Sequence, residues 1–155
     1  AGSMLKGQKA TVLLDKLGER LAFERTGVRL YDGLIAKFEA EGSWFGGPTL
    51  AELADFRADE ARHFALMQDV MVNLGADPTA LTPSADLAGV EAIGILQVIT
   101  DARTTLAQAL HAHLIAELTD AAAWDQLITL TEDLGHDAAA AKFREALAQE
   151  ILHRD

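Results

Sequence analysis

The sequence predicts an all-α protein, and three observations support this fold class. Half of the residues are apolar, which is enough for a buried core in one domain. Ala, Leu, Glu and Arg favour helix and are abundant, and only three prolines occur, each at a break between helical segments. Apolar residues in the longest segment recur with the period of an α-helix, as at Leu13, Leu17 and Leu21.

The positions of caps and helix breakers predict five helices, over residues 10–41, 48 or 49–74, 87–99, 105–134 and 137–153. Glycines follow three of these segments, at positions 42, 75 and 135. Thr105 and Gln108 resemble a capping box at the start of the fourth helix. Residues 79–84 are predicted to be loop. The connection from Gly75 to Thr104 is about thirty residues long, which is enough to cross the length of a helical bundle once.

Residues 1–9 are interpreted as a cloning remnant, Ala1 to Ser3 ahead of Met4, followed by an N-terminal tail. Residues 10–155 are then predicted to form the folded domain, a four-helix bundle with one long crossover and a short extra helix.

Charge and composition exclude several classes of function. The net charge is −11, from 24 acidic and 13 basic residues, which argues against nucleic acid or an anionic membrane as a partner. The chain has neither a long apolar run nor a secretory signal pattern, so we expect a cytoplasmic location. Cysteine is absent, which removes disulfides, thiol catalysis and metal–thiolate sites. Any metal must therefore be held by Glu, Asp and His.

Two copies of the motif Glu-x-x-His occur ninety residues apart, at Glu60 and His63 and at Glu150 and His153. Residues three apart on a helix share a face, so one carboxylate and one imidazole can hold a single ion. Two copies on different helices predict two ions.

Single glutamates on the two remaining long helices complete the predicted ligand set. Helical bundles hold paired metal ions with two Glu-x-x-His motifs and one lone Glu from each of two other helices. Glu24 and Glu117 can take these lone positions. Carboxylate oxygens and imidazole nitrogens suit iron or manganese, and four carboxylates balance two divalent ions.

With these residues the chain resembles the ferritin-like diiron-carboxylate superfamily over residues 10–153. The pattern is similar to that of bacterioferritins, including the thirty-three residues that separate Glu117 from Glu150. The resemblance implies a ferritin-like four-helix bundle with two metal ions, most often iron. It also implies that Glu60 and Glu150 bridge the metals, with Glu24 and His63 completing one coordination shell and Glu117 and His153 the other.

Further positions refine the resemblance. Tyr31 resembles a tyrosine beside the bacterioferritin site that can donate an electron, although a packing role is equally compatible with its position. Asp120 is similar to a second carboxylate that rubrerythrins carry on this helix. Ala61 stands where bacterioferritins have the methionine that ligates haem, so no haem is expected. Residues 123–135 are similar to small bacterial ferritin-like proteins associated with stress.

These expectations favour an oxidase or peroxidase that acts on dioxygen or hydrogen peroxide. Two alternatives stay open: oxidation of Fe(II) for storage or detoxification, and a metal-free interaction module used under stress. A homodimer is also left open. His111, His113 and His136 are interpreted as surface or otherwise satisfied histidines rather than ligands.

Overall fold

A computed structural model of the chain describes residues 2–154 and contains five α-helices over that range. They are α1 (Gly2–Glu41), α2 (Leu50–Asn73), α3 (Pro83–Thr100), α4 (Leu106–Asp133) and α5 (Asp137–His153). No strand occurs among these residues, and the all-α prediction is confirmed. None of the helices between residues 2 and 154 has the length and apolar character needed to cross a membrane.

The predicted caps explain where several helices begin and end. The Thr105 hydroxyl accepts from the Gln108 backbone N–H, and the Gln108 side chain accepts from the Thr105 N–H, which confirms the capping box. Gly75 and Gly135 both have positive φ angles, of 78° and 79°. Each follows its helix at the position where a left-handed conformation lets the next amide reach back to the last turn, and glycine adopts that conformation without strain.

Two predicted helix starts are wrong. The first helix begins at Gly2 rather than at residue 10, so the predicted tail is helical; no proline interrupts residues 2–9. Ala1 lies outside the described residues, as does Asp155. The third helix begins at Pro83 rather than at Leu87, because Thr82 caps it and Pro83 occupies the first turn, where its missing N–H costs nothing.

Helices α1, α2, α4 and α5 surround a common interior. Helix α1 contacts α2 and α4, and α5 contacts the same two helices from the other side. Helix α3 lies outside this set, against α1 and α4. Near its start, the Thr82 hydroxyl donates to the Asp15 carbonyl at 3.1 Å, and beyond its end the Lys37 ammonium donates to the Asp101 carbonyl at 3.0 Å. The chain after α2 therefore returns along α1 before it enters α4.

Buried apolar side chains form two clusters. One surrounds Trp124, Phe143 and Met67, and the other surrounds Leu30, Leu34 and Ile99. Along α2 and α4 the buried acidic and histidine residues lie between the parts of the helix that feed the two clusters. The interior thus consists of two apolar halves, the Trp124 half and the Leu34 half, with a polar layer between them.

Candidate metal centre

The polar layer contains the six residues that the sequence singled out as the main ligands. Glu24 comes from α1, Glu60 and His63 from α2, Glu117 from α4, and Glu150 and His153 from α5. The side chains of all six are at most 4% exposed. Helix periodicity explains the convergence, since each Glu-x-x-His pair lies on the inward face of its helix.

A first group of these residues consists of Glu24, His63 and Glu150. The Nδ1 atom of His63 lies 2.5 Å from Glu150 Oε1 and 3.5 Å from Glu24 Oε2. Each residue offers one ligand atom within 4.8 Å of the others, a spacing that suits a single metal ion.

A second group consists of Glu60, Glu117, Glu150 and His153. The Nδ1 atom of His153 lies 3.1 Å from Glu150 Oε2, 3.4 Å from Glu60 Oε1 and 3.7 Å from Glu117 Oε2. Glu150 belongs to both groups and presents one oxygen to each histidine. Glu60 lies with the second group alone, so the bridging role implied for it stays a prediction.

The atoms that face each other in the two groups are buried, and apart from the ion pairs that they form with one another they lack hydrogen bonds. This holds for Nδ1 of both histidines and for oxygens of Glu24, Glu117 and Glu150. A buried polar atom without a partner costs roughly 1–3 kcal/mol, more when it is charged. Two divalent cations would supply the missing partner to the whole set, so these residues fit a pair of metal ions.

Each histidine is oriented by the residue that precedes the glutamate of the opposite motif. Nε2 of His63 lies 2.6 Å from Gln149 Oε1, and Nε2 of His153 lies 3.3 Å from Asp59 Oδ2. A metal-binding histidine usually donates its other ring N–H in this way, which fixes the tautomer and the ring plane. Both rings therefore turn Nδ1 toward the carboxylates. The orienting roles of Gln149 and Asp59 were not predicted from the sequence. The only sequence signal for them is their position directly before Glu150 and Glu60.

The charges of the cluster compensate one another in the metal-free chain. Burial lowers the pKa of His153, but the carboxylates of Glu117, Glu150 and Glu60 outweigh it and raise the pKa to about 12. Burial also lowers the pKa of His63, but Glu150 and Glu24 outweigh this effect and raise the pKa to about 10. Both imidazoles are consequently in the doubly protonated, cationic form at neutral pH.

The pKa values of Glu60 and Glu150 shift in opposite directions. Burial raises the pKa of Glu60 well above its usual value, although His153 opposes this effect. For Glu150, burial also favours the neutral form, but His153 and His63 outweigh it and lower the pKa. The shared glutamate is therefore ionised and positioned between two cationic rings.

The structure places Asp120 outside both groups. Its carboxylate contacts the guanidinium of Arg20, whose Nη1 also lies 3.4 Å from Glu24 Oε1. Arg20 is 1% exposed and packs over the ring of Phe23. In this geometry Asp120 is a counter-ion of Arg20 and belongs to neither ligand group, so the ligand role expected for it stays a prediction. The only sequence sign of Arg20 was its position four residues before Glu24.

Tyr31 lies beside the second group. Its hydroxyl donates to Glu117 Oε1 at 2.7 Å, and its ring is buried. Burial and the charge of Glu117 raise the pKa of Tyr31, so the phenol keeps its proton. This position is compatible with the predicted electron-donor role, which stays a prediction.

His113 is buried beside the second group and contacts one of its ligands, Glu117. It is 5% exposed, with Nε2 at 2.6 Å from Glu117 Oε1 and its ring centroid 4.4 Å from that of Tyr31. Its position four residues before Glu117 could have revealed it. His111 and His136 are exposed, in agreement with the surface interpretation.

Comparison of the chain with protein-family models, with curated proteins and with solved structures gave no match. The resemblance to ferritin-like proteins accordingly depends on the ligand residues and their spacing.

Proposed function

We propose that the chain is a ferritin-like four-helix bundle that holds two metal ions, iron in the first place and manganese as the alternative, and acts as an oxidase or peroxidase on dioxygen or hydrogen peroxide. The observation that carries this proposal is the position of Glu150, with Oε1 toward His63 and Oε2 toward His153. One carboxylate between two Glu/His groups is suited to a metal pair and is not needed by two independent sites.

The proposed ligands divide as the two groups do. Glu24 and His63 would hold one ion, Glu60, Glu117 and His153 the other, and Glu150 both. Bound iron would supply the redox chemistry. The protein would supply geometry, a dry interior and hydrogen bonds that orient the ligands.

The neighbouring residues have distinct tasks in this proposal. The Tyr31 hydroxyl donates a hydrogen bond to Glu117 Oε1 at 2.7 Å and leaves the other oxygen of Glu117 available to a metal ion. Arg20 supplies a buried positive charge beside Glu24 and Asp120. The centre is therefore close to neutral with two divalent ions, four ligand carboxylates and the Arg20–Asp120 pair.

The test measures the oxidation of Fe(II), loaded without oxygen, by stopped-flow absorbance after mixing with dioxygen or hydrogen peroxide. Wild type is expected to oxidise two Fe(II) per chain faster than free iron does. Glu117→Gln keeps the shape but loses a ligand charge and should abolish the fast phase, whereas Glu145→Gln, at an exposed position of α5, should not. Wild-type rates equal to those of free iron would overturn the proposal.

A further inference from the structure

A cavity of about 610 Å³ connects the protein surface with the second ligand group. Its floor is formed by Tyr31, His113, Glu117 and His153, and its opening lies beside the α1–α2 loop. The volume is in the range of small-molecule sites, which are typically about 300–1,000 Å³. An ion or dioxygen needs far less room, so the cavity has a size that the proposed metal chemistry leaves unexplained.

The walls of this cavity are apolar and partly aromatic. Phe56 packs against Tyr31 with a centroid distance of 6.1 Å and against His153 at 4.5 Å. Trp44 is half exposed and lies at the opening. Its ring packs closely on Gly47, because a Cβ at that position would lie only 2.7 Å from Trp44 Cε2. Leucines complete the wall. Flat rings on several sides favour a flat apolar ligand, since aromatic rings prefer offset or edge contacts with one another.

One of the floor residues, His113, has a nitrogen atom without a hydrogen-bond partner. His113 is 5% exposed, yet its Nδ1 atom has no hydrogen-bond partner. Its other nitrogen and the Tyr31 hydroxyl both face Glu117 Oε1. Because His113 lines the cavity, its unpaired nitrogen favours a ligand that carries one polar group.

Charge argues for a neutral ligand. The charged residues of the lining offset one another, Glu52 with Arg154 at the opening and Glu117 with His153 at the floor, and the chain as a whole carries a net charge of −11, which disfavours anions. A cation would lose its hydration among the leucine and phenylalanine side chains of the wall.

We propose that this cavity binds a small uncharged aromatic alcohol of the phenol class, with its ring beside Phe56 and Trp44 and its hydroxyl at His113. The position next to a metal depends on the proposed function, but the binding itself does not.

Fluorine NMR of the metal-free full chain tests this with three probes of similar size: 4-fluorophenol, fluorobenzene and 4-fluorobenzoate. We expect saturable binding of 4-fluorophenol, roughly fivefold weaker binding of fluorobenzene because one hydrogen bond is lost, and none of 4-fluorobenzoate. In wild type, 4-fluorophenol should shift the indole N–H resonance of Trp44 and leave that of the buried Trp124 in place. Equal binding of all three probes, or a Trp44 resonance that does not respond, would overturn the proposal.

Matched variants on α4 locate the site. Ala107→Trp fills the opening and should weaken 4-fluorophenol binding at least tenfold, whereas Ala122→Trp, exposed on the same helix but outside the lining, should not. His113→Phe should remove the preference for 4-fluorophenol over fluorobenzene. Unchanged binding in Ala107→Trp contradicts the site.

The outcomes separate the two proposals. Probe binding without catalysed Fe(II) oxidation overturns the proposed function and supports the cavity assignment. Fe(II) oxidation without probe binding overturns the cavity assignment alone.

Discussion

Gln149 Oε1 lies 2.6 Å from Nε2 of His63, on a different helix and eighty-six residues away in the chain. The reciprocal contact joins Asp59 and His153, with 3.3 Å between Oδ2 and Nε2. The residue before each motif glutamate therefore orients the histidine of the other motif. The two motifs on α2 and α5 are thus coupled through their neighbours as well as through any shared ion.

Removing either orienting residue should weaken metal binding without loss of a ligand. Gln149→Ala frees the ring of His63, and Asp59→Ala frees that of His153. Losses of an orienting partner typically cost about 10–100-fold in metal affinity. Competition titration of Mn(II) against a chelator measures the change. Asp55→Ala, exposed one turn earlier on α2, is the control, and an effect as large in this variant would contradict the assignment.

Because Glu150 belongs to both groups, its replacement should remove more metal than replacement of Glu24 or Glu60. Glu150→Ala should remove both metals, because both groups lose an oxygen, whereas Glu24→Ala should mainly weaken the first group. Glu60→Ala should weaken the second group, or both if Glu60 also bridges. Metal content per chain, measured by elemental analysis, distinguishes these results. Near-normal content in Glu150→Ala, equal to that of Glu145→Ala, would eliminate the shared role.

Metal binding should release protons. With the pKa of His63 raised to about 10 and that of His153 to about 12, both rings are protonated at pH 7 and must deprotonate to bind a cation. Metal affinity should therefore rise with pH through the neutral range. Calorimetry of Mn(II) binding in buffers with different ionisation enthalpies detects the release, and a heat independent of the buffer would contradict it.

Asp15 should stabilise the chain in a pH-dependent manner. Burial raises its pKa, but Ser84 outweighs burial through its hydroxyl, at 2.6 Å, and its backbone N–H, at 2.9 Å, and lowers the pKa. The stabilisation is complete above the unfolded-state pKa of about 3.9 and is lost as pH falls through the lower folded-state pKa. Asp15→Ala should cost about 1 kcal/mol at pH 7 in urea unfolding, by analogy with helix caps, and less near pH 2. Asp125→Ala, at an exposed position of α4, is the control variant.

Gly27 leaves room for the carboxylate of Glu60, because a Cβ at this position would overlap Glu60 Oε2. Gly27→Ala should therefore displace Glu60 and lower metal affinity at the second group, while the fold persists. Gly94→Ala on α3 is the matched control, since its Cβ would meet nothing within 4 Å. That variant should gain up to about 1 kcal/mol of stability from helix propensity and keep its metal affinity. Equal metal affinities of the two variants would contradict the role assigned to Gly27.

Local patterns predicted the helices and the inward faces, since helix period and caps are properties of neighbouring residues. The capping box at Thr105 follows from such a pattern, whereas the pairing of Glu24 with His63 was implied by the resemblance to ferritin-like proteins. The contacts of Arg20 with Asp120 and of His113 with Tyr31 were not predicted, because each joins residues on two different helices. The start of α3 was misplaced because the Thr82–Pro83 cap precedes the first strongly apolar residues.

The polar layer between the two apolar clusters also bears on cooperativity. Without metal, the Trp124 half and the Leu34 half meet across a layer of buried carboxylates and imidazoles, which couples them more weakly than continuous apolar packing would. We therefore expect the two halves to open as separate units, with amide protons that exchange at different free energies. Ions that join four helices at this layer would merge the halves into one unfolding unit.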